Sequence, residues 1–204
     1  AQLAQDAPGV RVDVLSNLHE VAGPGADFGI RRDLVFVGGF RHPPNADAVL
    51  WFAQDVFPTI RERLPQVRFH CIGSDPPAQV RALAALPGIE VHGHLPDITA
   101  YMDGARVAVA PLRFGAGVKG KVNLSMAHGQ PVVATSCAVE GMHLHDGVDV
   151  AVADDPAAFA DAVVALYTDR GRWERQARAG LESVARHFSL EAAEADVQRV
   201  FLSG

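Results

Sequence analysis

From Asp33 onward, short apolar runs alternate with stretches whose apolar residues recur at helical spacing. LVFVGG (34–39) is rich in β-branched and aromatic residues and stops at two glycines, which predicts a buried strand ending in a turn. In NADAVLWFAQDVFPTIRERL (45–64), Val49, Leu50, Phe52, Phe57 and Ile60 fall on or near one helical face, and Trp51, Phe52 and Phe57 read as core. Asn45 stands where an N-cap would, and Pro58 predicts a kink or break. VRFHCIG (67–73), IEVHG (89–93), RVAVAPL (106–112), PVVATS (131–136) and VDVAVA (148–153) read as further strands. Between them, PAQVRALAAL (77–86), a short piece around ITAYMDG, and KGKVNLSMAHG (119–129), closed by Gly129, read as helices. Three helices end the chain: PAAFADAVVALYTD, RGRWERQARAGLESVARHF and, capped by Ser189, LEAAEADVQRVFL. Strands alternating with helices predict an α/β, Rossmann-like three-layer domain around a mostly parallel sheet.

The first 33 residues do not join this alternation. VRVDVLSNLHEV (10–21) is strand-like without an obvious neighbour, and GADFGIRRD is polar and irregular. Residues 1–33 are therefore expected to be a crossover from something upstream, with the domain proper at 34–204 and the chain a piece of a larger protein. A length of 204 residues suits one well-buried domain. Eighteen Lys and Arg against 24 Asp and Glu give a charge of −6, which argues against a general nucleic-acid binder. No apolar run suggests a membrane span or an export signal. Cys71 and Cys137 are too few for a disulfide framework and read as reduced thiols of a cytoplasmic protein.

In a parallel sheet, ligands bind beyond the carboxyl ends of the strands. Gly38-Gly39-Phe40-Arg41-His42, Gly73-Ser74-Asp75, Gly93-His94-Leu95, residues 113–121 and residues 136–142 are predicted there. The richest is Arg113-Phe114-Gly115-Ala116-Gly117-Val118-Lys119-Gly120-Lys121, with three glycines and three cations in nine residues. Backbone N–H groups, a helix N-terminus and side-chain cations together make an anion site, and a diphosphate suits it. Gly115, Gly117 and Gly120 also satisfy G-x-G-x-x-G, although that fingerprint should follow the first strand; a P-loop reading fails because Val122 replaces the magnesium-binding hydroxyl. His92 and His94 flank Gly93 without a third ligand placed by the sequence, so no metal site is expected. His42 fits a turn as well as a ligand contact, His143 and His145 beside Asp146 read as a polar turn, and Glu140 fits a sugar contact or a cap. Ser136 and Cys137 have no placed histidine, and Trp173 is read at a domain boundary.

RFGAGVKGKVNLSMAHGQPVVATSCAVEGM, taken with LVFVGGFRHPPNADAVLWF and HGHLPDITAYMDGARVAVAPLRFGAG, resembles the donor-binding half of the group 1 retaining glycosyltransferases with the two-domain B architecture. The resemblance runs from about Leu34 to the C-terminus. It implies a hexose moved from a nucleoside diphosphate sugar, such as a UDP- or GDP-hexose, to a hydroxyl acceptor with retention of configuration. It implies no separate cofactor and no metal. The diphosphate would meet Gly38, Gly39, Arg41, Arg113, Gly115, Gly117, Lys119, Gly120 and Lys121; the nucleobase and sugar would meet Asn45, Gly73, His94, Leu95, Asn123 and Glu140. Where many members carry two glutamates, this chain has Ala116 and Leu124, so either the ribose contact passes to another group, with Asn123 or Ser125 adjacent, or donor binding is weak. The acceptor site and part of the catalytic machinery would lie on an N-terminal domain outside this chain, leaving the piece inert alone. The full enzyme would sit in the cytoplasm or peripherally at the inner membrane. The rival readings are an NAD-binding oxidoreductase domain and a non-catalytic nucleotide- or sugar-binding module.

Overall fold

The computed structural model describes residues 17–198. Six strands form one parallel sheet: β1 (Arg32–Val37), β2 (Phe69–Ile72), β3 (Ile89–Gly93), β4 (Ala105–Ala110), β5 (Val132–Ala134) and β6 (Ala151–Val152). Their order is β3-β2-β1-β4-β5-β6, and every pairing is parallel. The chain therefore winds outward from β1 to β3, then returns to the centre and winds the other way from β4. This reversal opens a crevice between the carboxyl ends of β1 and β4. Leu34, Val35, Phe36, Val107, Ala108 and Val109 are all buried, as a sheet covered on both faces requires.

The helices are α1 (Pro43–Trp51), α2 (Phe57–Arg63), α3 (Ala78–Arg81), α4 (Thr99–Gly104), α5 (Gly120–Ala127), α6 (Ser136–Val139), α7 (Pro156–Thr168), α8 (Arg170–His187) and α9 (Leu190–Val197). A 3₁₀ turn over Ala82–Ala85 completes the stretch begun by α3. Asp155 and Asp169 cap α7 and α8 through their carboxylates, and Ser189 accepts from the Ala192 N–H as the sequence predicts. None of these helices is long and apolar enough to cross a membrane.

Two expectations about the first helix change. His42, with extended backbone, is the N-cap of α1, because Pro43 and Pro44 supply fixed helical φ angles and no N–H to satisfy. Asn45 instead lies inside the first turn and is buried. Pro58 does not break the helix. A π turn over Phe52–Val56, with the Phe57 N–H bonded to the Phe52 carbonyl, widens the backbone just ahead of it, and α2 continues with Pro58 in its first turn. Phe52 packs on Phe57, Phe69 and Phe159, confirming the expected core face.

The strand-like reading at residues 10–21 lies outside the described residues up to residue 16, and residues 17–21 form no strand. Residues 17–31 instead make an ordered strap that packs on the domain. The His19 N–H donates to the Phe188 carbonyl and the Gly23 N–H to the Ala127 carbonyl. Phe28 meets the edge of Trp173, so Trp173 packs against the crossover segment itself, and its indole N–H donates to the Arg106 carbonyl. Arg31 anchors the strap. It is completely buried, and its guanidinium donates to the carbonyls of Pro24, Ala26, Met102, Ala105 and His128 at 2.7–3.0 Å.

Candidate functional site

The β1/β4 crevice is built by the loops that leave those two strands. After β1 the chain runs through Gly38 and Gly39 into α1; after β4 it runs through residues 111–119 into α5. A cleft of about 340 Å³ lies between them, with His42, Pro44 and Asn45 on one wall and Phe114, Lys119 and Lys121 among the residues of the other.

Glycine at 73 is required by close approach: a Cβ there would stand 2.0 Å from the Gly38 carbonyl oxygen. That contact holds the β1 and β2 exits together, where the Gly38 N–H bonds the Ile72 carbonyl and the Phe40 N–H bonds the Ser74 carbonyl. On the other wall, Gly115 and Gly117 have φ angles of 124° and 80°, which side-chain-bearing residues rarely adopt.

The expected cations have different occupations. Arg41 is paired with Asp75 at 2.8 Å on the exposed surface. Arg113 forms a two-pronged ion pair with Asp47 of α1, which raises its pKa. Lys119 donates to the carbonyls of Gly115 and Gly117 at 3.1 and 2.6 Å and so clamps the glycine loop in shape. Lys121 is held by a single side-chain oxygen. Its Nζ donates to Asn45 Oδ1 at 2.5 Å and lies 5.1 Å from the centre of the Phe36 ring, and no carboxylate pairs with it among the described residues. Burial, then repulsion from Lys119, lowers its pKa to about 8. Asn45 is fixed in turn, donating to the Gly39 carbonyl at 2.7 Å.

Lys121 also stands in the first turn of α5, whose N-terminus has no side-chain cap. A helix N-terminus carries partial positive charge, so a cation there is disfavoured until an anion joins it. Charge and dipole thus meet on the cleft wall that Gly120 and Lys121 line.

The remaining predicted residues divide. His94 is exposed and Leu95 half-buried, directly after β3 at the same sheet edge, while Glu140 is exposed at the end of α6. Asn123 does not reach the cleft. It is wholly buried, and neither of its amide atoms has a hydrogen-bond partner among the described residues. Ser125 is also buried, so the ribose contact expected of this pair is not on the cleft surface. His143 stacks on His187 of α8 with ring centres 5.0 Å apart, and His145 is exposed beside Asp149; neither joins the cleft. The importance of Asn45 as a partner for Lys121 was not visible in sequence, because 76 positions separate the two.

A doubly wound parallel sheet with a half-buried lysine and a helix N-terminus at its point of reversal defines a Rossmann-like α/β domain. The glycine triplet follows β4, not β1, and β5 is followed by Thr135 and Ser136 without an acidic residue, so nothing supports the oxidoreductase reading. Residues 31–169 match the family described as Glycosyl transferases group 1, and the chain belongs to that family. A phosphatidyl-myo-inositol mannosyltransferase from Mycobacterium leprae is 30% identical over 199 residues, covering 95% of this chain and 51% of the relative. The chain thus spans about half the length of that curated relative. A TarM variant from S. aureus, solved with fondaparinux, α-GlcNAc-glycerol and UDP, superposes with a TM-score of 0.80 at 12% identity, over 99% of this chain and 42% of that one. HepE from Anabaena, solved with UDP and glucose, gives a TM-score of 0.68 at 13% identity, over 87% of this chain and 50% of that one.

Proposed function

We propose that this chain is the donor half of a hexosyltransferase and that the β1/β4 cleft holds the diphosphate of a nucleoside diphosphate sugar. The observation that carries the reading is Lys121, a half-buried cation with no carboxylate partner among the described residues, at an uncapped helix N-terminus. In the transfer, the bond between the sugar's anomeric carbon and the phosphate oxygen breaks, its electron pair staying on that oxygen, while the acceptor hydroxyl forms a new bond to the carbon and gives its proton to the departing diphosphate. The departing diphosphate gains negative charge, and Lys121 with the α5 N-terminus stabilises it without reorganisation. Lys119 supports this by fixing the loop that frames the anion. The backbone around His94 and Leu95, at the same edge, would flank the base. Neighbours solved with UDP support a nucleoside diphosphate, and the mycobacterial mannosyltransferase supports a hexose. The acceptor site would lie on a further domain, so the isolated chain would bind donor without turning it over. Two free cysteines, Cys71 and Cys137, support a cytoplasmic setting.

Calorimetric titration with UDP, GDP, ADP and NAD tests the reading. One nucleoside diphosphate should bind saturably and lose about 10- to 100-fold in affinity on Lys121→Met, the size of one charge-assisted contact to an anion. Binding of NAD alone, or nucleotide binding indifferent to Lys121, would overturn it.

A further inference from the structure

A second cluster of chemistry-bearing side chains lies on β2 and β3, apart from the cleft. Read along the chain, His92 pairs with His94 across Gly93 and lacks a third ligand. The sheet pairs it differently. Register between β2 and β3 runs His70 to Glu90 and Cys71 to Val91, then skips to Ile72 and Gly93. This bulge leaves His92 without an opposite residue, and bulges characteristically re-aim a side chain. The His92 ring comes to lie over that of His70, with centroids 5.2 Å apart and planes inclined by 33°. Glu90, two residues before His92 on the same strand face, completes the group.

Three atoms face one another: His70 Nδ1, His92 Nε2 and Glu90 Oε2. Their separations are 3.0, 3.4 and 3.7 Å. Two imidazole nitrogens and a carboxylate oxygen around a tetrahedral zinc, each about 2.0–2.2 Å from it, stand about 3.4 Å from one another. The other polar atom of each side chain is already held. His70 Nε2 lies 3.4 Å from Asp33 Oδ2, His92 Nδ1 lies 3.4 Å from the Tyr101 hydroxyl, and Glu90 Oε1 accepts from Arg68 at 2.9 Å. Asp33 is itself fixed by the Arg68 N–H at 2.9 Å, with its backbone in the left-handed region at φ 61°. Outer partners of this kind orient the rings of metal-binding histidines and set which nitrogen is free. The His70 and His92 side chains are 12% and 17% exposed and Glu90 38%, which leaves a path for an ion and a water along the Glu90 side.

We propose that His70, Glu90 and His92 bind one divalent transition ion of the zinc class, with Asp33 and Tyr101 as positioning residues and water in the fourth place. The ion would cross-link β2 to β3 immediately beneath the loop that carries His94 and Leu95. The proposal is independent of whether the cleft binds nucleotide.

The test uses the tag-free 204-residue chain, freed of metal by chelator and titrated with Zn²⁺ by calorimetry and with Co²⁺ by visible absorption. One ion per chain, intense d–d bands of tetrahedral Co²⁺, and a zinc-dependent rise in melting temperature are expected. His92→Asn and Glu90→Gln should each weaken binding by at least about tenfold, whereas His94→Asn should leave it unchanged. Glu90 lies at the surface, so its variant keeps the test sound should His92→Asn fail to fold. No binding by the unmodified chain would overturn the proposal, leaving a hydrogen bond between two imidazoles. Undiminished affinity in both ligand variants, or equal loss on His94→Asn, would overturn it as well.

Discussion

The two ends of α5 hold one wholly buried and one half-buried cation, and the molecule treats them in opposite ways. At the C-terminal end, Arg31 meets the His128 carbonyl and, close by, the Met102 carbonyl in the last turn of α4. Helix C-termini present unsatisfied carbonyls and partial negative charge, so a guanidinium is favoured there. All five of its N–H donors are used, on five carbonyls, and Trp173 lies 5.6 Å from its charge centre. Arg31 is thus a closed structural joint between strap, sheet and two helices. At the N-terminal end, Lys121 has one amide oxygen, an aromatic face and an unfavourable dipole. Burial lowers the pKa of both groups, to about 10 for Arg31 and about 8 for Lys121. Satisfaction by neighbours separates Arg31, whose five donors are all taken, from Lys121, whose one oxygen partner among the described residues is Asn45.

The largest effect expected from breaking this comparison is at Arg31. Arg31→Met leaves buried carbonyls without donors and should lower unfolding free energy by about 3–5 kcal/mol, a large share of a domain's total. Urea denaturation measures it. Arg31→Lys keeps the charge but has too few donors for five carbonyls, and it should recover less than half the loss. If Arg31→Met proved as mild as a surface change, the joint would not hold the strap.

Lys121 answers to pH in a way Arg31 does not. Below about pH 8 it is charged, and the cost of burying that charge is carried by the unliganded fold. Its unfolded value is near 10.5, so between about 8 and 10.5 the unfolded chain binds more protons and this group's contribution to stability rises with pH. Diphosphate binding moves the other way, because the anion needs the ammonium form. Affinity should be flat below pH 8 and fall about tenfold per unit above it, and Lys121→Met should abolish that dependence. Titrations at pH 7, 8 and 9 decide it. A profile unchanged between Lys121 and Met would place the controlling cation elsewhere.

How much of this was legible in sequence depends on how far apart the partners lie. The strands at 34–39, 67–73, 89–93 and 106–112 were legible because each is a β-branched run bounded by glycine or proline. The glycine loop was legible because its cations and glycines are contiguous in an acidic chain. The roles within it were not, since Arg113 is paired with Asp47 and Lys121 is positioned by Asn45, both contributed by α1 across the switch point. Asn45 read as a cap because it precedes the apolar face, yet the two prolines before it already start the helix. Asn123 read as a ribose contact from its place beside Leu124, but the helix turns that position into the packing. Arg31 left no signal, because its five acceptors are backbone carbonyls, three of them on segments more than 70 residues away. His70 and His92 became neighbours only through strand pairing, with a bulge that no local pattern announces.

The smallest effect sharpens the comparison at its exposed limit. Arg113 lies on the glycine loop, and composition alone made it a phosphate ligand equal to Lys121. Its guanidinium is about half exposed and already bonded to Asp47 through both carboxylate oxygens. An exposed pair of this kind contributes at most about 1 kcal/mol, and less in salt. Arg113→Ala should therefore shift stability by under about 1 kcal/mol and nucleotide affinity by about threefold or less. Asp47→Asn, which releases Arg113 from its partner, should tighten binding modestly at low salt and lose that gain at high salt. Affinity for the nucleoside diphosphate at two salt concentrations reads both variants. A loss on Arg113→Ala as large as that on Lys121→Met would mean that the Asp47 pair opens when donor binds.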